Sequence, residues 1–137
     1  MAPVLLLRTG MRQRILLVDD DPYNLKNLAY FLRIEGYDVN AASNGSDAAR
    51  ILKTDEFDLL LSDVIMPGLD GFHLLQYTRS IAPNMPVLLM SGSPDIDSNE
   101  IVKRGGAGFI MKPLELDQLL SKVKKALERQ DCRQSSL

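Results

Sequence analysis

A single cysteine, Cys132, and a single histidine, His73, stand in a chain of 137 residues. One cysteine excludes an internal disulfide, and its place in a polar segment fits a free thiol in a reducing compartment. One histidine, with the cysteine far along the chain, leaves too few soft donors for a zinc site. Long apolar runs are also missing. No stretch approaches the length that crosses a bilayer, and Val4-Leu5-Leu6-Leu7 is too short for the core of a signal peptide. The formal net charge of −2 weighs against a nucleic-acid surface. There is no internal repeat and no low-complexity segment. The expectation is a cytoplasmic globular domain without a membrane or nucleic-acid partner of its own.

What is present suffices for one folded unit. Hydrophobic residues make up 45% and charged residues 25%, the balance of a globular protein, and the length allows a core without cross-links. Residues 1–11 read as an N-terminal extension, 12–130 as the domain, and 131–137 as a polar C-terminal tail or a truncated linker. Strands are expected at Arg14–Val18, Asp38–Ala41, Leu59–Ser62, Val87–Met90 and Gly108–Met111. Three of these are near-continuous apolar runs, as in parallel strands buried on both faces.

Helical spacing fills the gaps between strands. Pro22 suits a first turn, and Leu25, Leu28, Ala29 and Leu32 follow on one face until Gly36. Ser46 is placed to cap a short helix carrying Ala48, Ala49, Ile51 and Leu52. Phe72, Leu75 and residues 77–81 suggest a third helix. Ile96, Ile101 and Val102 suggest a fourth, stopped by Gly105-Gly106. Leu116, Leu119, Leu120, Val123 and Leu127 give the last. Strict alternation of strand and helix points to an α/β fold. The form that fits is a flavodoxin-like, doubly wound (βα)5 unit with a five-stranded parallel sheet in the order 2-1-3-4-5. Such sheets bind ligands at the carboxyl ends of the strands, where the order reverses.

The residues after the strands are polar in a consistent way. The first strand runs into Asp19, Asp20 and Asp21, the third into Asp63, the fourth into Ser91 and the fifth into Lys112. A parallel sheet brings all of these to one edge. Carboxylates that close repel one another, and a divalent cation relieves the repulsion. An all-oxygen, partly solvated site suits magnesium or manganese, while a lysine nearby can hold a phosphate. Each feature alone has a plainer reading. Acids after a strand commonly cap helices or face solvent, Ser91-Gly92 is a common turn pair, and Lys112-Pro113 is an ordinary strand-to-helix turn. The argument rests on their coincidence at one edge. His73 and the Lys122, Lys124, Lys125 group read as surface residues.

The stretches ILLVDDDP, LLLSDVIMPGLDGF, PVLLMSGS and GAGFIMKPL, in this order and spacing, resemble the receiver domain of two-component response regulators over about residues 13–128. That resemblance implies Asp63 as phosphoacceptor, and Asp19, Asp20, Asp63 and the backbone carbonyl of Ile65 as magnesium ligands. It implies Ser91 and Lys112 on the phosphoryl oxygens and a cis peptide before Pro113. Ser91 and Phe109 would be switch residues. Asp21 has no such role and reads as a helix-start residue. The partners implied are a histidine kinase or histidine phosphotransfer protein, and a downstream effector domain or protein. Dimerisation on phosphorylation is compatible with it. Catalysis would be confined to the chain's own phosphorylation and dephosphorylation.

Two departures from the family stand out. Phe109 lacks the hydroxyl of a tyrosine at the switch position, and Ile65 puts an apolar side chain where polar groups are common. Two other readings compete. A magnesium-dependent phosphatase with an aspartyl nucleophile usually carries a second acid two residues later, where this chain has Ile65. A degenerate receiver acting only in docking would have lost the acidic pair, the acceptor or the lysine, and all are present.

Overall fold

The computed structural model describes residues 12–135. The extension expected at 1–11, with its Val4–Leu7 run, lies outside those residues, as do the last two of the expected tail. Five strands form one parallel sheet: β1 (Arg14–Val18), β2 (Asp38–Ala42), β3 (Leu59–Asp63), β4 (Val87–Ser91) and β5 (Gly108–Met111). Their order is β2-β1-β3-β4-β5, as the alternation of elements predicts. Five helices alternate with them: α1 (Pro22–Ile34), α2 (Gly45–Thr54), α3 (Gly71–Ile81), α4 (Ser98–Lys103) and α5 (Leu116–Ser135).

The two-residue period of the strands divides the core. Ile15, Leu17, Leu59, Leu61, Leu88 and Met90 face one side, where Leu28 and Leu32 of α1 and Leu119, Val123 and Leu127 of α5 cover them. Leu16, Val18, Leu60, Val87 and Leu89 face the other side, under Ala48 and Leu52 of α2, Leu74 and Leu75 of α3 and Ile101 of α4. β3 and β4 are buried at every position, which is why their sequences show no polar alternation.

The strands β2, β3 and β4 each run one residue beyond the expected span. Register explains the last two: Asp63 still pairs with Met90, and Ser91 with Met111. Asp63 and Ser91 are therefore the final rungs of their strands, while Asp19, Asp20 and Lys112 follow the ends of theirs.

Three helix ends differ from expectation, while α3 takes in every position expected for it. Asn44, not Ser46, caps α2; its backbone is extended and its side chain accepts the Asp47 N–H at 2.8 Å. The helix therefore starts at Gly45, and Ser46 lies inside the first turn. α3 starts at Gly71, one residue before Phe72, with Asp70 as cap. α4 starts after Asp97, so Ile96 precedes it and packs as a partly buried side chain. α5 continues to Ser135, through much of the segment read as a tail; no glycine or proline interrupts it there.

Candidate functional site

Backbone hydrogen bonds extend the ladders at the carboxyl edge of the sheet. The Asp19 N–H donates to the Ala42 carbonyl at 3.2 Å, and the Lys112 N–H donates to the Ser91 carbonyl at 2.9 Å. These bonds bring Asp19, Asp20, Asp63, Ser91 and Lys112 to one cavity of about 260 Å³, which Ile65 also lines. Phe109 does not line it; it is half-buried against the core under α2, α3 and α4. The Lys112–Pro113 peptide is cis, as the resemblance implies.

Carboxylate oxygens of Asp19, Asp20 and Asp63 lie within 4.8 Å of one another. Asp19 is 1% and Asp63 5% exposed, while Asp20 faces solvent. The Lys112 Nζ lies 2.5 Å from Asp63 Oδ1 and 3.4 Å from Asp19 Oδ2. Asp19 also accepts the Asp21 N–H through Oδ1 at 2.9 Å. Burial, followed by the Asp19 carboxylate, pushes the Asp63 carboxyl up to about 7, and the Lys112 ammonium only partly offsets this. Burial works to lower the Lys112 ammonium, but Asp63 and then Asp19 outweigh it and raise its pKa. Asp63 Oδ1 is buried and accepts no hydrogen bond of suitable angle, so Lys112 meets it as a charge. Three clustered carboxylates, acceptors only when ionised, fit a hard divalent cation better than they fit one another.

Ser91 is 5% exposed, and its hydroxyl oxygen accepts the Ser93 N–H at 3.1 Å. Ile65, 60% exposed, stands at the rim. Asp21 is the N-cap of α1 and accepts the N–H groups of Tyr23 and Asn24, which bears out its reading as a helix-start residue. His73 is exposed, as expected, but it has a structural role that was not anticipated. Its Nδ1 accepts the Asp70 N–H at 3.1 Å while Asp70 Oδ1 accepts the His73 N–H at 3.0 Å. That box fixes the start of α3 and is easily overlooked, because Glu or Gln usually fills the third position. Ser62 was also missed: buried, it donates to the Asp63 carbonyl at 2.9 Å. A larger groove of about 610 Å³ opens beside the site, between Asn24, Asn27, Leu28 and Phe31 of α1 and the segment after β5.

Comparison with known proteins agrees with this geometry. The family model for the response regulator receiver domain matches residues 15–124. The transcriptional regulatory protein GlrR of Escherichia coli K12 is 36% identical over 116 residues, covering 84% of this chain and 26% of the relative. ZraR of Klebsiella oxytoca is 35% identical over 120 residues, covering 87% and 27%. The chain spans about a quarter of the length of these curated relatives. A CheY-like receiver domain protein from Methanospirillum hungatei superposes with a TM-score of 0.85 at 30% identity, covering 90% of this chain and 99% of that one. NtrX from Brucella abortus gives 0.86 at 29%, covering 92% of this chain and 29% of its own. Strand order, motif residues gathered at one edge and these matches agree that the chain belongs to the receiver domains of two-component response regulators.

Proposed function

We propose that this receiver is a phosphorylation-driven switch, in which Asp63 takes a phosphoryl group from a phosphohistidine on a histidine kinase or phosphotransfer protein. The observation that carries this is the convergence of Asp19, Asp20 and Asp63 with Lys112 Nζ 2.5 Å from the acceptor. An Asp63 oxygen attacks phosphorus, the donor's bond to phosphorus breaks, and an acyl phosphate results. Asp19, Asp20, Asp63 and the Ile65 backbone carbonyl would hold Mg2+, with Mn2+ as a substitute. The bound cation supplies positive charge to the carboxylates and to the phosphoryl oxygens. Transfer of this kind depends on positioning and charge neutralisation more than on covalent chemistry from the protein.

Lys112 leaves Asp63 Oδ1 and donates to a phosphoryl oxygen. Ser91 has its hydroxyl hydrogen free to donate to another, since its contact with Ser93 uses only the oxygen as acceptor. Movement of Ser91 alters the segment leading to α4, and half-buried Phe109 on the neighbouring strand can repack with it. The changed surface around β5, α4 and α5 would be read by an effector domain or protein, or by a second phosphorylated copy. The groove beside α1 offers a protein donor an apolar wall next to the acceptor. Its action is cytoplasmic and turns over no substrate besides its own phosphoryl group. The test is intact mass after incubation with acetyl phosphate and Mg2+: one phosphoryl group on the natural chain, none on Asp63→Asn. Undiminished labelling of Asp63→Asn would overturn the assignment.

A further inference from the structure

Gly45 is buried at the first position of α2. A Cβ there would overlap the Leu69 carbonyl oxygen and lie 2.9 Å from both the carbonyl carbon and the Cβ of Leu69. Only a hydrogen fits in that direction, and a Cα–H facing a carbonyl is a weakly favourable contact. Leu69 belongs to the connection between β3 and α3, which follows directly on Asp63 and carries Ile65 to the rim of the cavity. The neck of that connection is closed by the Gly71 N–H donating to the Val64 carbonyl at 2.8 Å. A Cβ on Gly71 would overlap the Asp63 carbonyl oxygen and lie 2.7 Å from Val64 Cα. Residues 64–70 are thus held between the starts of two helices, each approaching through a glycine.

We propose that Gly45 is a positioning residue for the acceptor site, acting through the Leu69 main chain. α2 cannot easily retreat, because Asn44 caps it and Ala48 and Leu52 anchor it in the core. The neck at Val64 and Gly71 is also fixed. A side chain at position 45 therefore displaces residues 65–69, which include the Ile65 backbone and the border of the cavity. Sub-ångström to ångström misplacement of reacting groups is costly in rate. This inference rests on the acceptor role of Asp63 proposed above.

The test compares Gly45→Ala with Gly106→Ala. Gly106 is crowded too, with its Cβ direction 2.5 Å from Ile101 Cγ2 and 3.0 Å from the Ile101 carbonyl oxygen, but it precedes β5 at the opposite edge. Both variants are compared well below their melting midpoints. Gly45→Ala is expected to slow acetyl phosphate labelling of Asp63 by roughly tenfold or more and to weaken Mg2+ binding measured calorimetrically without donor. Gly106→Ala should lose stability yet stay within about twofold of the natural chain in both. Equal rates and Mg2+ affinities in the two variants overturn the proposal. Should Gly45→Ala not fold, the natural chain decides. Saturation with Mg2+ alone, without a phosphoryl mimic, should shift the NMR resonances of Gly45, which does not touch the cation; an unmoved Gly45 overturns the proposal. No labelling of the natural chain would instead overturn the reading of Asp63 itself.

Discussion

At the edge where the strands begin, Arg14 is surrounded by partners. Its backbone N–H donates to Asp58 Oδ2 at 2.8 Å and its Nη1 to the Glu56 carbonyl at 2.8 Å. Its Nε lies 3.6 Å from Asp38 Oδ2, and its guanidinium sits 4.7 Å above the Phe57 ring. At the edge where the strands end, three carboxylates cluster and one ammonium reaches two of them, Asp19 and Asp63. One edge satisfies its charges with its own residues, and the other is left short of positive charge. The contrast teaches where the molecule keeps its capacity to respond: an edge that is electrostatically complete holds the sheet together, while an incomplete edge gains by taking up a cation.

The largest expected effect comes from removing a charge at the incomplete edge. Asp20→Ala should weaken Mg2+ binding by at least about tenfold, since each carboxylate is a direct charge on a hard cation, while the metal-free protein keeps or gains stability because crowding is relieved. Calorimetric titration and thermal melts of the same samples check both. A loss of stability without the metal would show Asp20 to be part of the scaffold, and would erase the contrast between the edges.

The next effect is a pH dependence of opposite sign to the usual carboxylate. Asp63 titrates at about 7 in the folded chain and at about 4 when unfolded, so the folded state holds a proton that the unfolded state releases. The stability this contributes is complete below about pH 4 and is lost as pH rises through about 7. Melting midpoints of the metal-free chain should fall by several degrees across that window, relative to Asp63→Asn. Saturating Mg2+ should shrink the difference.

On the function proposed above, hydrolysis of a phosphoryl group on Asp63 needs a water in line with it, and Ile65 lines the cavity with a side chain that cannot orient water. Ile65→Asn should dephosphorylate faster, by about tenfold at most, less than full general-base catalysis supplies. Decay after donor removal measures it, and equal lifetimes would move control elsewhere. The smallest effect belongs to the complete edge. Arg14→Ala should cost about 1 kcal/mol of stability and leave Mg2+ affinity unchanged. A changed affinity would mean that the two edges communicate.

Much of this arrangement could be read from residue order. Leu59–Leu61 and Val87–Met90 are unbroken apolar runs, and a parallel sheet then forces Asp63, Ser91 and Lys112 to one edge. What could not be read depends on distance between segments remote in sequence. Nothing in the sequence indicates that Lys112 rests on Asp63 rather than in solvent, or that Ser62 donates to the acceptor's carbonyl. The start of α2 is hidden because two polar residues compete for it: Asn44 and Ser46 are both good caps, and only the extended backbone at Asn44 decides. The Arg14 cluster was invisible for the same reason, being assembled from three separate segments.

α4 has six residues and buries one side chain, Ile101. A helix that short has no stability in isolation, so its amides stay protected from hydrogen exchange only while Ile101 remains seated. α1 and α5, at 13 and 20 residues, close the opposite face of the sheet independently. α4 can therefore unfold and refold as a small local unit without opening the rest of the domain. The chain reaches it from Ser91 through residues 92–97, so this briefly anchored helix follows closely on the residue a phosphoryl group would pull.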